Sequence, residues 1–324
     1  MRPSRARAAV VLCAAVLAVG CVTASSLPGG PSPVDAATRN TVPAQTTAST
    51  AVGAAVSGEY VLLAAGDIAE CTSTGDEVTA NLLALSPGAA VVTLGDHAYN
   101  NGTAAEFASC YAPSWGRAKA RTHPSPGNHD YNTANAAGYF GYFGAAAGSP
   151  ATGYYSFDWG SWHIISLNSN CSEIGGCQTG SAQERWLWAD LAAHRRTCTL
   201  AYWHHPRFSS GEHGNDADVD GLWRALYAWR ADVVLNGHDH DYERFALQSP
   251  DNVLDTVRGI REFVVGTGGA EKRVFKTIVP NSQLRVAGKN GILRLGLWSN
   301  SYTWMFIGDG GPGVHVDTGR SYCI

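Results

Sequence analysis

Four short apolar runs, each closed by a polar residue able to hold a metal, set the rhythm of the chain. Residues 60–65 end at Gly66-Asp67, and residues 89–94 at Gly95-Asp96. Residues 199–203 run into His204-His205-Pro206, and residues 232–235 into Asn236-Gly237-His238. Runs this short and unbroken predict strands buried on both faces. Between them, residues 76–85 (DEVTANLLAL) have helical spacing and stop at Ser86-Pro87-Gly88. Residues 217–230 also read as helix, and Ser181-Ala182-Gln183-Glu184 has the form of a capping box before Arg185-Trp186-Leu187. Strands alternating with amphipathic helices predict an α/β fold whose strand carboxyl ends share one ligand-binding edge. Residues 262–265, 277–279, 292–298 and 302–307, with turns such as Lys289-Asn290-Gly291, predict a second and more antiparallel sheet packed on the first.

The amino-terminal segment does not join this pattern. Arg2, Arg5 and Arg7 precede an apolar run over residues 8–19, too short for the roughly 20 residues of a membrane span. Residues 1–24 therefore read as a secretory signal peptide, with Val22-Thr23-Ala24 placing cleavage before Ser25. Leu17-Ala18-Val19-Gly20-Cys21 also resembles a bacterial lipobox, with Ala18 where Leu is usual, and would put a lipid anchor on Cys21. Either route delivers the chain to an oxidising compartment, secreted or as a cell-surface lipoprotein. Residues 25–57, rich in Ala, Thr, Ser and Pro, form a flexible linker, which leaves residues 58–324 as the catalytic domain.

Composition narrows the classes. Of 324 residues, 45% are hydrophobic and only 15% charged, which excludes a disordered chain. Removing the leader leaves 20 basic against 27 acidic side chains, a net charge of −7, and no basic surface for nucleic acid. Eight cysteines fall to six once Cys13 and Cys21 are set aside. With no Cys-x-x-Cys pair they read as disulfides and not as a thiolate metal site. Six cysteines allow about 15 pairings: Cys171 with Cys177 closes a local loop, and Cys71 with Cys110 and Cys198 with Cys323 complete the expected set.

Chemistry concentrates in five blocks: Gly66-Asp67, Gly95-Asp96-His97-Ala98-Tyr99, Gly127-Asn128-His129-Asp130, His204-His205-Pro206 and Gly237-His238-Asp239-His240. Alone, Gly-Asp after a strand is a turn or a helix cap, and Gly-Asn-His-Asp a tight turn. Together, in one order and at strand ends, they supply aspartates able to bridge two cations, neutral imidazoles, an amide oxygen and a phenol. A phenolate favours a highly charged ion such as ferric iron. Two cations held side by side suit in-line displacement at phosphorus. His205 and Asp239 read as structural. Tyr111, Trp115, Tyr139, Phe140, Tyr142 and Phe143 either line a cleft or pack beneath loops, and Gly266-Thr267-Gly268-Gly269 reads as a turn after a strand.

The five blocks resemble those of the calcineurin-like metallophosphoesterase superfamily, and Tyr99 makes the chain most similar to purple acid phosphatases. The resemblance implies a four-layer α/β/β/α sandwich of two mixed sheets flanked by helices. It implies a ferric site of Asp67, Asp96, Tyr99 and His240, and a divalent site (Fe, Zn or Mn) of Asp96, Asn128, His204 and His238, bridged by Asp96. His129 and His213 would face the phosphate or the leaving group, with Asp130 orienting His129 or capping its turn. Ala69 and Ala201 stand where the family has Gly and Val, and neither removes a ligand. The implied activity is hydrolysis of phosphate monoesters by a metal-held hydroxide. The substrate would be a phosphorylated small molecule or a phosphoprotein; membrane contact would come only through Cys21. A phosphodiesterase or nucleotide hydrolase on the same site, and a non-catalytic surface binding module, are the competing readings.

Overall fold

In the computed structural model, which describes residues 58–310 and 315–324, the leader and linker read over residues 1–57 lie outside the described residues. The chain lays down β1 (Tyr60–Ala65), α1 (Gly75–Ala84), β2 (Ala90–Leu94) and β3 (Thr122–Ser125). Next come β4 (Tyr155–Trp159), β5 (Trp162–Ser166), α2 (Ala182–Ala193), β6 (Cys198–Tyr202), α3 (Asp220–Ala228) and β7 (Val233–Asn236). Then follow β8 (Tyr242–Gln248), β9 (Ile260–Val265), β10 (Ser282–Val286), β11 (Gly291–Trp298), β12 (Ser301–Gly308) and β13 (His315–Tyr322).

Two mixed sheets result. One has the order β13-β12-β11-β1-β2-β3 and the other β10-β8-β9-β7-β6-β5-β4. Parallel pairing joins β1 to β2 and β2 to β3 in the first sheet, and β5, β6, β7 and β9 in the second. This divides the strands differently from the sequence expectation. Strands β6 and β7 do not join β1 and β2; β11 and β12 do, by antiparallel pairing of Leu62 with Leu295 along β1. Residues 277–279 are not a strand, and β9 is parallel to β7 and not part of an antiparallel tail. Strand pairing depends on contacts hundreds of residues apart, which local pattern does not carry.

The unbroken apolar runs are explained by burial on both faces. Ile164, Leu200, Val233, Leu235, Phe263 and Val265 point between the sheets, against Leu62, Ala64, Val92 and Leu295. Their neighbours Ile165, Ala201, Val234 and Val264 face α2 and α3, meeting Leu187, Leu191, Leu222 and Trp223. Helix α1 lies on the other side, against β11 and the short helix Trp115–Arg121. At about 25 cal/mol per Å² of apolar surface, each such side chain contributes on the order of 1.5–3 kcal/mol.

Local signals held to different degrees. Ser181 Oγ caps α2 by accepting from the Glu184 N–H at 3.2 Å, but the Glu184 carboxylate turns to the Gly180 N–H and to Trp188 Nε1, so only half the box forms. Three disulfides join Cys71–Cys110, Cys171–Cys177 and Cys198–Cys323, as expected. The last ties the end of β13 to β6 and so links the two sheets. Tyr111, Trp115, Tyr139, Phe140 and Phe143 are buried in the core. They pack, whereas the half-buried Tyr142 lines a concavity of about 500 Å³ with Phe107 and Gly141. No helix among the described residues is long and apolar enough to cross a membrane.

Candidate metal centre

Strand ends from both sheets meet at one seam. Asp67 follows β1, Asp96 follows β2, and Asn128 opens the short helix Asn128–Tyr131 after β3. His204 follows β6, while His238 and His240 lie in the turn between β7 and β8. At three of these positions the backbone folds back sharply: Asp67, Asp96 and His238 have φ of 59°, 52° and 70°. A left-handed conformation is costly for residues with a Cβ, and it clusters where side chains must be aimed. Gly95, at φ 87°, makes room for His204, since a Cβ there would sit 2.5 Å from the ring Nδ1.

Seven side chains converge in two lobes about Asp96. In the first, Tyr99 Oη lies 3.0 Å from Asp67 Oδ1, 3.2 Å from Asp96 Oδ2 and 3.2 Å from His240 Nε2. In the second, His204 Nε2 lies 2.9 Å from Asn128 Oδ1, 3.2 Å from His238 Nδ1 and 3.2 Å from Asp96 Oδ2. Asp96 Oδ2 therefore faces both lobes. The remaining oxygens are held by backbone: Asp96 Oδ1 accepts from the His129 N–H, and Asp67 Oδ2 from the His238 N–H, both at 2.8 Å.

The donor set fits cations. Leu94 O accepts the Nδ1 proton of His204 at 2.7 Å, and Glu271 O that of His240, so both rings turn Nε2 lone pairs inward. Such backbone anchoring of the far nitrogen is what orients metal-binding imidazoles. Lone pairs on two imidazoles, an amide oxygen and two carboxylates then face one another, an arrangement that needs positive charge. Protons meet the need only in part. Burial opposes charging His204, but Asp96 outweighs it and pushes the imidazole up to about 9. Burial, with His204, His205 and His213 beside it, holds His238 far below its ordinary value. Burial, then Asp67 and Asp96, raise the Tyr99 phenol well above 10. Cations replacing those protons would satisfy every donor at once.

Around this cluster the remaining expected residues separate. His129, with 30% of its side chain exposed, gives Nδ1 to Asn100 O at 2.7 Å and turns Nε2 toward the cleft, 4.0 Å from Asp96 Oδ2. Asp130 does not orient it. Its carboxylate is fully buried, accepts from the Gly127 N–H at 2.8 Å, and pairs with His97 Nδ1 at 2.9 Å. The capping alternative is the one the structure shows, because the Asn128–Tyr131 turn directs Asp130 back beneath Gly127. His97, to which sequence reading assigned no role, also meets Thr93 Oγ1 at 2.6 Å.

His213 comes to the cluster, its ring 4.1 Å from that of His238. Asp239 Oδ1 accepts both its backbone N–H (2.8 Å) and its Nδ1–H (2.9 Å). His205 packs 4.4 Å from the His238 ring and bonds Ser169 Oγ through Nδ1. The Gly266–269 turn lies against Asp67: the Gly268 N–H donates to Gly66 O and the Ala270 N–H to Asp67 O. Arg273, missed in the sequence, reaches His213 Nε2 at 3.0 Å from the loop after this turn. A concavity of about 630 Å³ is lined by the Cys171–Cys177 loop with Ala217, Asp218, Asp220 and Gly221, and none of the seven converging side chains lines it.

Comparison with known proteins bears on the family and the fold. The sequence model of the calcineurin-like phosphoesterase family matches residues 50–242. Purple acid phosphatase 15 of Arabidopsis thaliana is 28% identical over 216 residues, 55% of this chain and 40% of that protein. An uncharacterized protein of Mycobacterium tuberculosis is 28% identical over 201 residues, 50% of this chain and 38% of its own length. The chain thus spans about two fifths of the length of these relatives. Among solved structures, the purple acid phosphatase PPD1 of yellow lupin seeds superposes with a TM-score of 0.65 at 16% identity, over 82% of this chain and 54% of that one. GAP50, the anchor in the inner membrane complex of Plasmodium, gives 0.61 at 13% identity, over 82% and 90%.

Proposed function

The chain belongs to the calcineurin-like phosphoesterase family, and from that premise we propose that it is an exported phosphomonoesterase with a dinuclear metal centre of the purple acid phosphatase kind. The observation that carries this reading is Asp96 Oδ2, placed 3.2 Å from Tyr99 Oη on one side and 3.2 Å from His204 Nε2 on the other. Asp67, Asp96, Tyr99 and His240 would hold Fe(III). Asp96, Asn128, His204 and His238 would hold a divalent Fe, Zn or Mn ion. When bound, such a pair supplies a Lewis acid for phosphoryl oxygens and lowers the pKa of water.

The rest of the chemistry falls to the chain. Hydrolysis forms a bond from a water oxygen to phosphorus, breaks the ester P–O bond and returns a proton to the departing alcohol. His129, with Nδ1 fixed by Asn100 O, presents Nε2 where it can bond a phosphoryl oxygen as charge develops, or pass that proton. Deep burial of Asp67, Asp96 and His204 keeps bulk water from competing for them. Three disulfides suit an oxidising, extracellular setting for a phosphorylated small molecule or phosphoprotein substrate.

The same fold in GAP50 belongs to an anchor protein, so fold alone does not select catalysis; the convergence of seven donors is what supports it here. The test is metal content and colour of the purified protein, followed by hydrolysis of a phosphate monoester and a diester. Two ions per chain with monoester turnover support the reading. A protein that takes up no metal, or cleaves only the diester, overturns it.

A further inference from the structure

The donor and acceptor pattern at His213 is fixed from both ends. A carboxylate accepts only, so Asp239 Oδ1, 2.9 Å from His213 Nδ1, places the hydrogen on that nitrogen. A guanidinium donates only, so Arg273 Nη1, 3.0 Å from Nε2, takes up the lone pair there. Held in this way, His213 has no proton to give toward the cleft. Its ring instead lies 4.1 Å from that of His238 and carries the guanidinium on its outer edge.

Arg273 is brought here by the loop after the Gly266–269 turn. Its backbone N–H donates to His240 O at 3.2 Å, so the loop is pinned to the metal cluster itself. Nη1 also faces Glu212 Oε2 at 3.5 Å, while 28% of the side chain is exposed. Among the described residues, Nε and Nη2 have no hydrogen-bond partner. The neighbouring lysines are turned elsewhere, Lys272 to Asp309 (3.5 Å) and Lys276 to Glu212 (2.8 Å). A planar fork with free donors, one imidazole away from the cluster, matches two oxygens of a phosphoryl group better than a single-nitrogen donor does.

We propose that Arg273 is a phosphate-contact residue of this site, with His213 and Asp239 positioning its guanidinium against the phosphoryl oxygens. The proposal rests on the phosphatase reading above and deepens it. It places the cation of the outer sphere on the loop after β9 and gives His213 a holding part in place of proton donation.

The test uses the metal-loaded protein and two readouts. One is binding of inorganic phosphate by calorimetry; the other is kcat and KM on p-nitrophenyl phosphate. Arg273→Ala should weaken phosphate binding and raise KM together by about tenfold or more, the loss expected for a charge-assisted hydrogen bond. Arg273→Lys should recover part of the loss, and added guanidinium should rescue the alanine variant. His213→Ala should cost less than Arg273→Ala in phosphate binding. The proposal is overturned if Arg273→Ala binds phosphate within about threefold of wild type, or if His213→Ala is the more damaging change. Wild-type protein that binds phosphate but cleaves no monoester would instead sink the phosphatase reading, and the binding comparison would still decide the part of Arg273.

Discussion

Gly127→Ala tests whether the cluster depends on space and not only on ligands. Gly127 has φ −105° and ψ 178°, an extended conformation open to any residue, so the substitution carries no left-handed penalty. A Cβ there would stand 2.1 Å from Asp96 Oδ1 and 2.3 Å from the Asp96 nitrogen. Ordinary contact begins at 3.4 Å, so the two segments must part by about 1.3 Å. That separation breaks the 2.8 Å bond from the His129 N–H and turns the carboxylate that both lobes share. Overpacking of this kind costs about 1–3 kcal/mol, offset by about 0.4–1 kcal/mol from a stiffer unfolded chain. Activity should fall much further, by about a hundredfold, the usual effect of a 1 Å misplacement. Elemental analysis, monoester kinetics and thermal unfolding read the three consequences. Gly141→Ala is the control: a Cβ there meets nothing within 4 Å, and a helical alanine stabilises by up to about 1 kcal/mol. If Gly127→Ala keeps two ions per chain and kcat/KM within about threefold of wild type, the argument from space is refuted.

Three further outcomes are expected. Tyr99→Phe removes the phenol that meets Asp67, Asp96 and His240; iron-loaded protein should lose its visible absorption band, and a variant that stays coloured would refute the tyrosine–iron assignment. His97→Phe strips Asp130 of its imidazole partner at full burial, so urea unfolding should show a loss of about 3–5 kcal/mol; a loss below about 1 kcal/mol would mean the pair is not structural. Burial raises Asp232 to about 7, against two backbone N–H donors from Thr199 and Ile324. The folded state then keeps a proton that the unfolded chain gives up between about pH 4 and 7, so this contribution is full at low pH and lost as pH rises through 7. The slope is at most about 1.4 kcal/mol per pH unit. Asp232→Asn should flatten it, and an unchanged slope would show that another group is responsible.

Sequence reading reached the converging side chains because most follow directly on a strand. An apolar run ends, a glycine turns the chain, and a polar residue follows at Asp67, Asp96 and His238, while His204 follows its run with no glycine between. His97 and Asp130 sit inside the same motifs, but their pairing was not legible, because it spans 33 residues and links the second block to the third. Arg273 had no signature at all: it is a lone arginine in a loop, and only the fold of the Gly266–269 turn against Asp67 carries it to His213. Sheet membership was lost for the same reason. Residues 260–265 look alike whether they pair with β7 or with a tail hairpin, and the choice is made by partners far along the chain.

The place of β1 in its sheet has a consequence for how the molecule is made. This strand, which leads to Asp67, has β2 on one side, but its other edge waits for β11, with Leu62 opposite Leu295. The Cys198–Cys323 bridge then closes over 125 residues. Asp67 therefore cannot settle into its final surroundings while synthesis is still within the second sheet, and any chain halted before residue 291 leaves β1 with an open edge. Assembly of the cluster is therefore a late event by topology, and the seven donors come together only after the carboxyl-terminal strands have been made. Pulse-labelled chains truncated at residue 290 should stay protease-sensitive even when every one of the seven donors has already been made.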